Sequence, residues 1–399
     1  MSEAGRIIRI AARGDGVTGD GRHVAGVAPG DILRADGTIE HGPHHAAPPC
    51  RHFGSCGGCQ LQQLDEDALR DFVTSRVVNA AEGQGIAVGE LLATHVSPPR
   101  SRRRATLHAL RTRQGAVIGF REAASHRIID MAECHILHPE LARQLPALRQ
   151  FLARYGALKG GMDIELTLTD QGVACMIGNL ALEGLEATEG ALEFAQASGL
   201  ARLAIDQGYG GEALWEPAPV TVTLSGCSVA FPTGGFLQAT EDGEQILVSD
   251  AVDWLQDCPT IADLFAGLGT FAFAFAKNSR VLAAEAARDA HLACKSAAAG
   301  ANLPVHALHR DLFRNPLQPD ELDKFDGVLI DPPRAGARDQ IAQIAASKLD
   351  RVVYVSCNPA SWARDARVLI DAGFALAKLR PVGQFRWSTH VELASLFVR

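Results

Sequence analysis

Cys357 and a group of three cysteines near residue 50 are the side chains in this chain whose placement could support chemistry. Val352-Val353-Tyr354-Val355 are all β-branched or aromatic, which predicts a buried parallel strand. Ser356-Cys357-Asn358-Pro359 ends that strand, because Asn358 favours a turn and Pro359 suits the first position of a helix. A thiol at the carboxyl end of a central strand lies where open α/β sheets bind ligands. Most free cysteines are only small buried hydrophobes. Position and turn chemistry favour a nucleophile here.

The second group is Cys50-Arg-His-Phe-Gly-Ser-Cys56-Gly-Gly-Cys59, whose glycines let the backbone fold tightly round a metal. Cys134, in Asp130-Met-Ala-Glu-Cys134, is the next cysteine along the chain and the expected fourth ligand. Zinc and an iron–sulfur centre both take four thiolates. Structural zinc more often uses two C-x2-C pairs, so C-x5-C-x2-C with a distant fourth cysteine favours [4Fe-4S]. His44, His45 and His52 could complete a zinc site and rank behind Cys134.

The elements that must position Cys357 begin near Phe231, where a regular β-α alternation implies a doubly wound parallel sheet. Asp263-Leu-Phe265-Ala-Gly267-Leu-Gly269-Thr270 reads as a strand end, a glycine turn and a helix start. Such glycines let backbone approach a ligand closely. The dinucleotide pattern G-x-G-x-x-G is incomplete, since Ala272 takes its third glycine. A second strand, 280–284, ends at Glu285, a carboxylate suited to a ribose diol. Strands 305–309 and 325–330 are followed by Asp311 and by Asp331-Pro332-Pro333-Arg334, on the same expected rim as Gly267 and Cys357. The double proline gives a rigid wall for a planar base.

Upstream, residues 1–45 combine short β patterns with Asp-Gly turns, reading as a small β-barrel-like segment that resembles the TRAM domain, an OB-like RNA-binding module. Residues 46–225 read as a mixed α+β domain, with a helix over 65–80 and hairpins over 101–121 and 163–177. Residues 226–399 form the third expected domain. Eight arginines between Arg100 and Arg127 face one acid, Glu122, and predict a local basic face for phosphates. The chain as a whole carries −8, which argues against a chain-wide grip on nucleic acid.

With 47% hydrophobic and 21% charged residues, the 399-residue composition is that of a soluble globular protein. No apolar run reaches membrane-spanning length, and Met1-Ser2-Glu3 opens without a leader pattern. Nine cysteines without such a leader favour a reducing cytoplasm and metal or catalytic roles.

The motif beginning at Asp263 resembles motif I of class I S-adenosylmethionine (SAM) methyltransferases. Together with Cys50, Cys56, Cys59 and Cys134, Phe236-Leu-Gln238, Asp331-Pro-Pro-Arg334, Ser356-Cys357-Asn358-Pro359 and His390-Val-Glu392, the chain resembles the RNA (uracil-5-)-methyltransferases, closest to the iron–sulfur 23S ribosomal-RNA type. It departs from that pattern just upstream of His390, where Gln384-Phe385-Arg386-Trp387 replaces an aspartate and Phe-Pro. The resemblance implies a Rossmann-like SAM methyltransferase sheet, with SAM contacts at Gln238, Phe265, Gly267, Gly269, Thr270, Glu285, Asp311 and Asp331. It also implies Cys357 attack on uracil C6 and a general base that removes the C5 proton. Glu392 is the base expected from the last strand, 390–398, lying antiparallel beside the Cys357 strand. The implied partner is RNA, ribosomal in preference to transfer RNA, with no role for DNA or a membrane. The rival readings are an amino-methyltransferase built on Asp-Pro-Pro-Arg, which needs no cysteine, and a non-catalytic iron–sulfur RNA-binding protein.

Overall fold

The computed structural model describes residues 5–123, 125–157 and 159–399, so the leader reading on Met1-Ser2-Glu3 lies outside the described residues. Five parallel strands form the heart of a nine-stranded sheet, in the order Val305–His309, Arg280–Glu285, Thr260–Leu264, Gly327–Ile330, Arg351–Ser356. The chain reverses its direction of progress between Thr260–Leu264 and Gly327–Ile330, which opens a ligand crevice at the carboxyl ends of those strands. Glu392–Val398 then pairs antiparallel with Arg351–Ser356, and Ala375–Gly383 antiparallel with Glu392–Val398.

The sheet is buried on both faces, which accounts for its unbroken apolar runs. Val352 and Tyr354 pack into one core layer with Phe72, Trp362 and Phe397. Val353 and Val355 pack into the other with Phe231, Trp254 and Phe271. The helix Pro359–Asp371 starts where expected: Asn358 caps it by accepting the Ala360 N–H, and Pro359 takes the first turn. The far edge of the sheet is built from early sequence. Glu90–Leu91 and His95–Val96 pair in parallel with Ala375–Gly383, and the helix Glu66–Glu82 packs on the helix Pro359–Asp371.

A separate six-stranded sheet runs Gly211–Trp215, Arg202–Asp206, Gly172–Gly178, Met162–Thr169, Arg104–Thr112, Gly115–Gly119. Its own core includes Leu107, Ile118, Leu148 and Ile164. At the start of the chain, Ile7–Ile10, Gly16–Thr18 and His23–Val24 form a three-stranded sheet. Ile32–Leu33 and Ile39–Glu40 form a hairpin, joined to it by an Arg6–Ile32 bridge. The short barrel-like segment expected here thus consists of two small sheets bridged to one another. No helix among the described residues is long and apolar enough to cross a membrane.

Candidate active site

Cys357 leaves the end of Arg351–Ser356 half-buried at the crevice mouth. Asn358, besides capping the next helix, donates from Nδ2 to the Arg334 carbonyl at 2.9 Å, and Ser361 Oγ donates to the same oxygen. The cysteine turn and the Asp331-Pro-Pro-Arg334 loop are therefore fastened together. Arg364 adds a bond to the Ala335 carbonyl at 2.9 Å.

Ser356 pairs with Leu393, so the register carries Glu392 to the position facing Cys357. Burial pushes the Cys357 thiol up to about 11, with Glu392 and Asp331 adding to the effect and Arg334 opposing it. Burial likewise lifts the Glu392 carboxyl to about 8, Asp331 assisting. Asp331 is lifted to about 7 by burial.

The predicted crevice residues come together on this rim. Gln238 Nε2 lies 3.4 Å from Asp331 Oδ2. Gly267 and Gly269 have φ of 56° and 96°, a region that favours glycine, and a Cβ on Gly269 would lie 2.7 Å from the Phe273 ring. Phe265 holds φ of 63°, a strained backbone for an aromatic residue, and strain of this kind concentrates at functional sites. Its ring meets Phe313 at 5.2 Å between centroids. Thr270 occupies the first position of the helix Thr270–Phe275, which follows Gly269.

Two carboxylates are held by backbone. Glu285 accepts the Gly267 N–H at 2.8 Å and the Ala287 N–H at 2.6 Å, so it braces the glycine turn. Asp311 Oδ1 accepts the Phe313 N–H at 3.0 Å, which orients that ring. Asp263 is fully buried and neither of its carboxyl oxygens has a hydrogen-bond partner. Burial first, and then Asp331, push it up to about 8. Such a carboxyl is incomplete without a ligand. Two buried acids, Asp263 and Glu392, with the half-buried Asp331 whose charge acts on both, suit a cationic guest, as the sulfonium and ammonium of SAM would be.

Sequence reasoning missed Phe313, an exposed aromatic that pairs with Phe265; its place two residues after Asp311 was the available signal. It also gave no role to Gln384, which is buried and donates to both Glu392 and Gln238.

The basic segment does not form one face. Arg102 is half-buried against the rings of Phe120 and Phe385, at 5.8 and 5.3 Å. Arg103 pairs with Glu244 at 2.6 Å, and Arg104 lies over Phe236 at 4.6 Å. Contacts with Phe120 and Phe385, Glu244, and Phe236 engage these three side chains, which a count of charges cannot register. Arg100, Arg113, Arg121 and Arg127 remain exposed, and Arg121 and Arg127 line a hollow with His108 and His126.

Cys50, Cys56, Cys59 and Cys134 line one shared hollow against Phe120. Backbone stitching brings the two stretches together: Gly57 N–H donates to the Arg121 carbonyl at 2.8 Å, and Arg51 N–H to Glu133 at 2.9 Å. Among the described residues, no three His, Cys, Asp or Glu side chains are grouped closely enough to hold a metal ion. Burial pushes Cys59 up to about 12 and raises Cys56 and Cys134, with neighbouring thiols adding to each. A cationic centre would offset that penalty. His44 is engaged elsewhere with Asp65 and His45 with Asp31, whereas His52 lines the same hollow and accepts the Ala132 N–H.

Comparison with known proteins agrees with this arrangement. Residues 230–399 match the family model described as tRNA (uracil-5-)-methyltransferase. An uncharacterized RNA methyltransferase of Zymomonas mobilis is 48% identical, over 99% of each chain. The 23S rRNA (uracil(1939)-C(5))-methyltransferase RlmD of Pectobacterium carotovorum is 30% identical, over 90% of this chain and 82% of its own. The Pyrococcus abyssi tRNA (uracil-54, C5)-methyltransferase, solved with S-adenosyl-L-homocysteine, shares the fold, with a TM-score of 0.76 at 21% identity over 99% of each chain. On these matches, the chain belongs to the tRNA (uracil-5-)-methyltransferase family and is an RNA methyltransferase.

Proposed function

We propose that the protein methylates C5 of a uridine in RNA, with SAM as methyl donor and a covalent bond between Cys357 and uracil C6 as intermediate. The observation that carries this reading is the register Ser356 to Leu393, which brings Cys357, the next residue past its strand, within electrostatic reach of Glu392.

Uracil C5 is too weak a nucleophile to take a methyl group unaided. When the Cys357 thiolate adds to C6, the C5=C6 electron pair moves onto the ring as an enolate and C5 becomes electron-rich. When bound, SAM supplies an electrophilic methyl on a cationic sulfur. Methylated C5 then gives its proton to Glu392, the C5–H electrons restore the C5=C6 bond, and the thiolate leaves. Asp331, fixed by the loop fastened to Asn358, is placed to hold the uracil edge. The target base must be unstacked to reach the thiol, so single-stranded or remodelled RNA is the expected substrate.

In this reading Gln238, Phe265, Gly267, Gly269, Thr270, Glu285, Asp311 and Asp331 form the SAM site, and the Phe265–Phe313 pair offers an aromatic wall for adenine. Cys50, Cys56, Cys59 and Cys134 would hold a [4Fe-4S] centre. No step above needs an electron from it, so its role is to fasten residues 50–59 to residues 121–135. Ribosomal RNA is the favoured substrate and the cytoplasm the favoured location, with residues 1–45, 46–225 and 226–399 as the proposed domains. Mass-spectrometric mapping of 5-methyluridine in ribosomal and transfer RNA, from cells with and without the protein, tests the assignment. A missing methyl in 23S RNA supports it, and unchanged maps of both RNAs would refute it.

A further inference from the structure

Gln384 is 2% exposed and sits between the candidate base and the candidate donor site. A side-chain amide has two N–H hydrogens to give and one oxygen to receive. Here Nε2 donates to Glu392 Oε2 and to Gln238 Oε1, the latter at 2.8 Å. Its Oε1 accepts the backbone N–H of Thr240 at 3.4 Å. This pattern fixes the amide's direction, because the reversed amide would set its oxygen against two acceptors. Gln238, held by its oxygen, turns its own Nε2 toward Asp331.

The bond from Gln384 is the only side-chain hydrogen bond to the Glu392 carboxylate among the described residues. The other titratable groups that face Glu392 are Asp331, at the end of a parallel strand, and Cys357, just past the end of the paired strand. Asp331 disfavours its ionised form, whereas the Gln384 N–H favours it. The fold also makes room for this amide. A Cβ on Gly243, in the first turn of the helix Glu241–Trp254, would lie 2.7 Å from the capping Thr240 Oγ1, 2.9 Å from Gln384 Cβ and 3.1 Å from its Oε1.

We propose that Gln384 is the positioning residue for proton removal: its amide clamps the Glu392 carboxylate and ties it to Gln238, so that the base and the methyl-donor site are held as one unit. The proposal rests on the reading of Glu392 as the base. It predicts that loss of the clamp slows release of the methylated product while attack by Cys357 and methyl transfer continue.

The test compares an RNA carrying the target uridine with the same RNA carrying 5-fluorouridine. Fluorine cannot leave C5 as a cation, so the covalent adduct persists after methyl transfer and its formation does not require the base. With Gln384→Leu, kcat on uridine RNA should fall about 10- to 100-fold. The same variant should accumulate a methylated adduct on uridine RNA. Its adduct formation on 5-fluorouridine RNA and its SAM affinity should stay within about threefold of wild type, since neither needs the base. Gly243→Ala, which crowds Gln384 without altering a site residue, should give the same split at smaller size and decides the matter if Gln384→Leu does not fold. Unchanged kcat in either folded variant would overturn the proposal, as would an equal loss of adduct formation and turnover. If the wild-type protein itself traps no 5-fluorouridine RNA, the covalent reading fails first, and this proposal with it.

Discussion

Glu392 stands across an antiparallel strand pair from Cys357, at the open end of a ladder in which Leu393 faces Ser356. A thiol and a carboxyl placed this way can reach one planar ring, and burial pushes both toward their protonated forms.

Cys357→Ala should lower methyl transfer to RNA by about a thousandfold or more, because no other group activates C5. SAM binding measured by calorimetry should change by less than about twofold, since SAM does not need the thiol. A variant with full activity would favour amine methylation through Asp-Pro-Pro-Arg instead.

Release of the methylated product from Cys357 should quicken with pH and level off at or below about pH 8, because Glu392 must be ionised to accept the C5 proton. The direction follows from a carboxyl raised by burial and by Asp331, and a cation bound nearby moves the midpoint down. Glu392→Gln should cut kcat by about 10²- to 10⁴-fold and leave the adduct trapped on RNA. A pH profile of single-turnover rates checks both.

Asp263 makes the ligand-free protein sensitive to pH. Its folded value of about 8 lies above the usual carboxyl value, so the unfolded chain releases this proton more readily. Stability should therefore fall as pH rises from about 4 to about 8. Asp263→Asn should raise the melting temperature by about 3 °C or more at pH 8, do little at pH 4, and weaken SAM binding. Calorimetric scans at the two pH values decide it.

Arg121 and Arg127 are the exposed arginines beside His108 and His126 in one hollow. Replacing each by Glu should weaken RNA binding and reduce the slope of log affinity against log salt by about 1 per lost phosphate contact. SAM affinity should be unchanged. Filter binding across a salt series measures the slope.

Cys134→Ser should abolish bound iron in anaerobically purified protein, with its absorbance near roughly 400 nm, and lower thermal stability. Oxidising or reducing the intact centre without loss of iron should leave the single-turnover rate within about twofold, since the methyl-transfer steps exchange no electrons. Protein purified with zinc and no iron would replace the cluster reading with a zinc site.

The parallel core and its rim were legible because the signals were local. Val352–Val355 announced a strand buried on both faces, and Gly267 and Gly269 marked a turn whose left-handed backbone favours glycine. The arginine run misled because charge counting does not record a side chain's partners, and Arg103 is paired with Glu244 while Arg102 lies against Phe385. Gln384 was out of reach for a different reason. Its acceptor on Gln238 lies 146 residues away, and no short pattern records a bond of that span. Glu285 was found at the right strand end, yet the two backbone N–H groups that hold it appear only once the chain is folded.

Trp387 has φ of 59°, and its carbonyl receives the N–H groups of both Gln60 and Leu61. The turn that carries Gln384 and Phe385 is thus moored to the segment that holds Cys59. A fragment beginning at residue 226 would retain the glycine turn and Cys357 but lose that mooring. The substrate-facing wall is for this reason not a detachable module, and grafting the C-terminal half onto another RNA-binding partner would transplant a donor site without a working base.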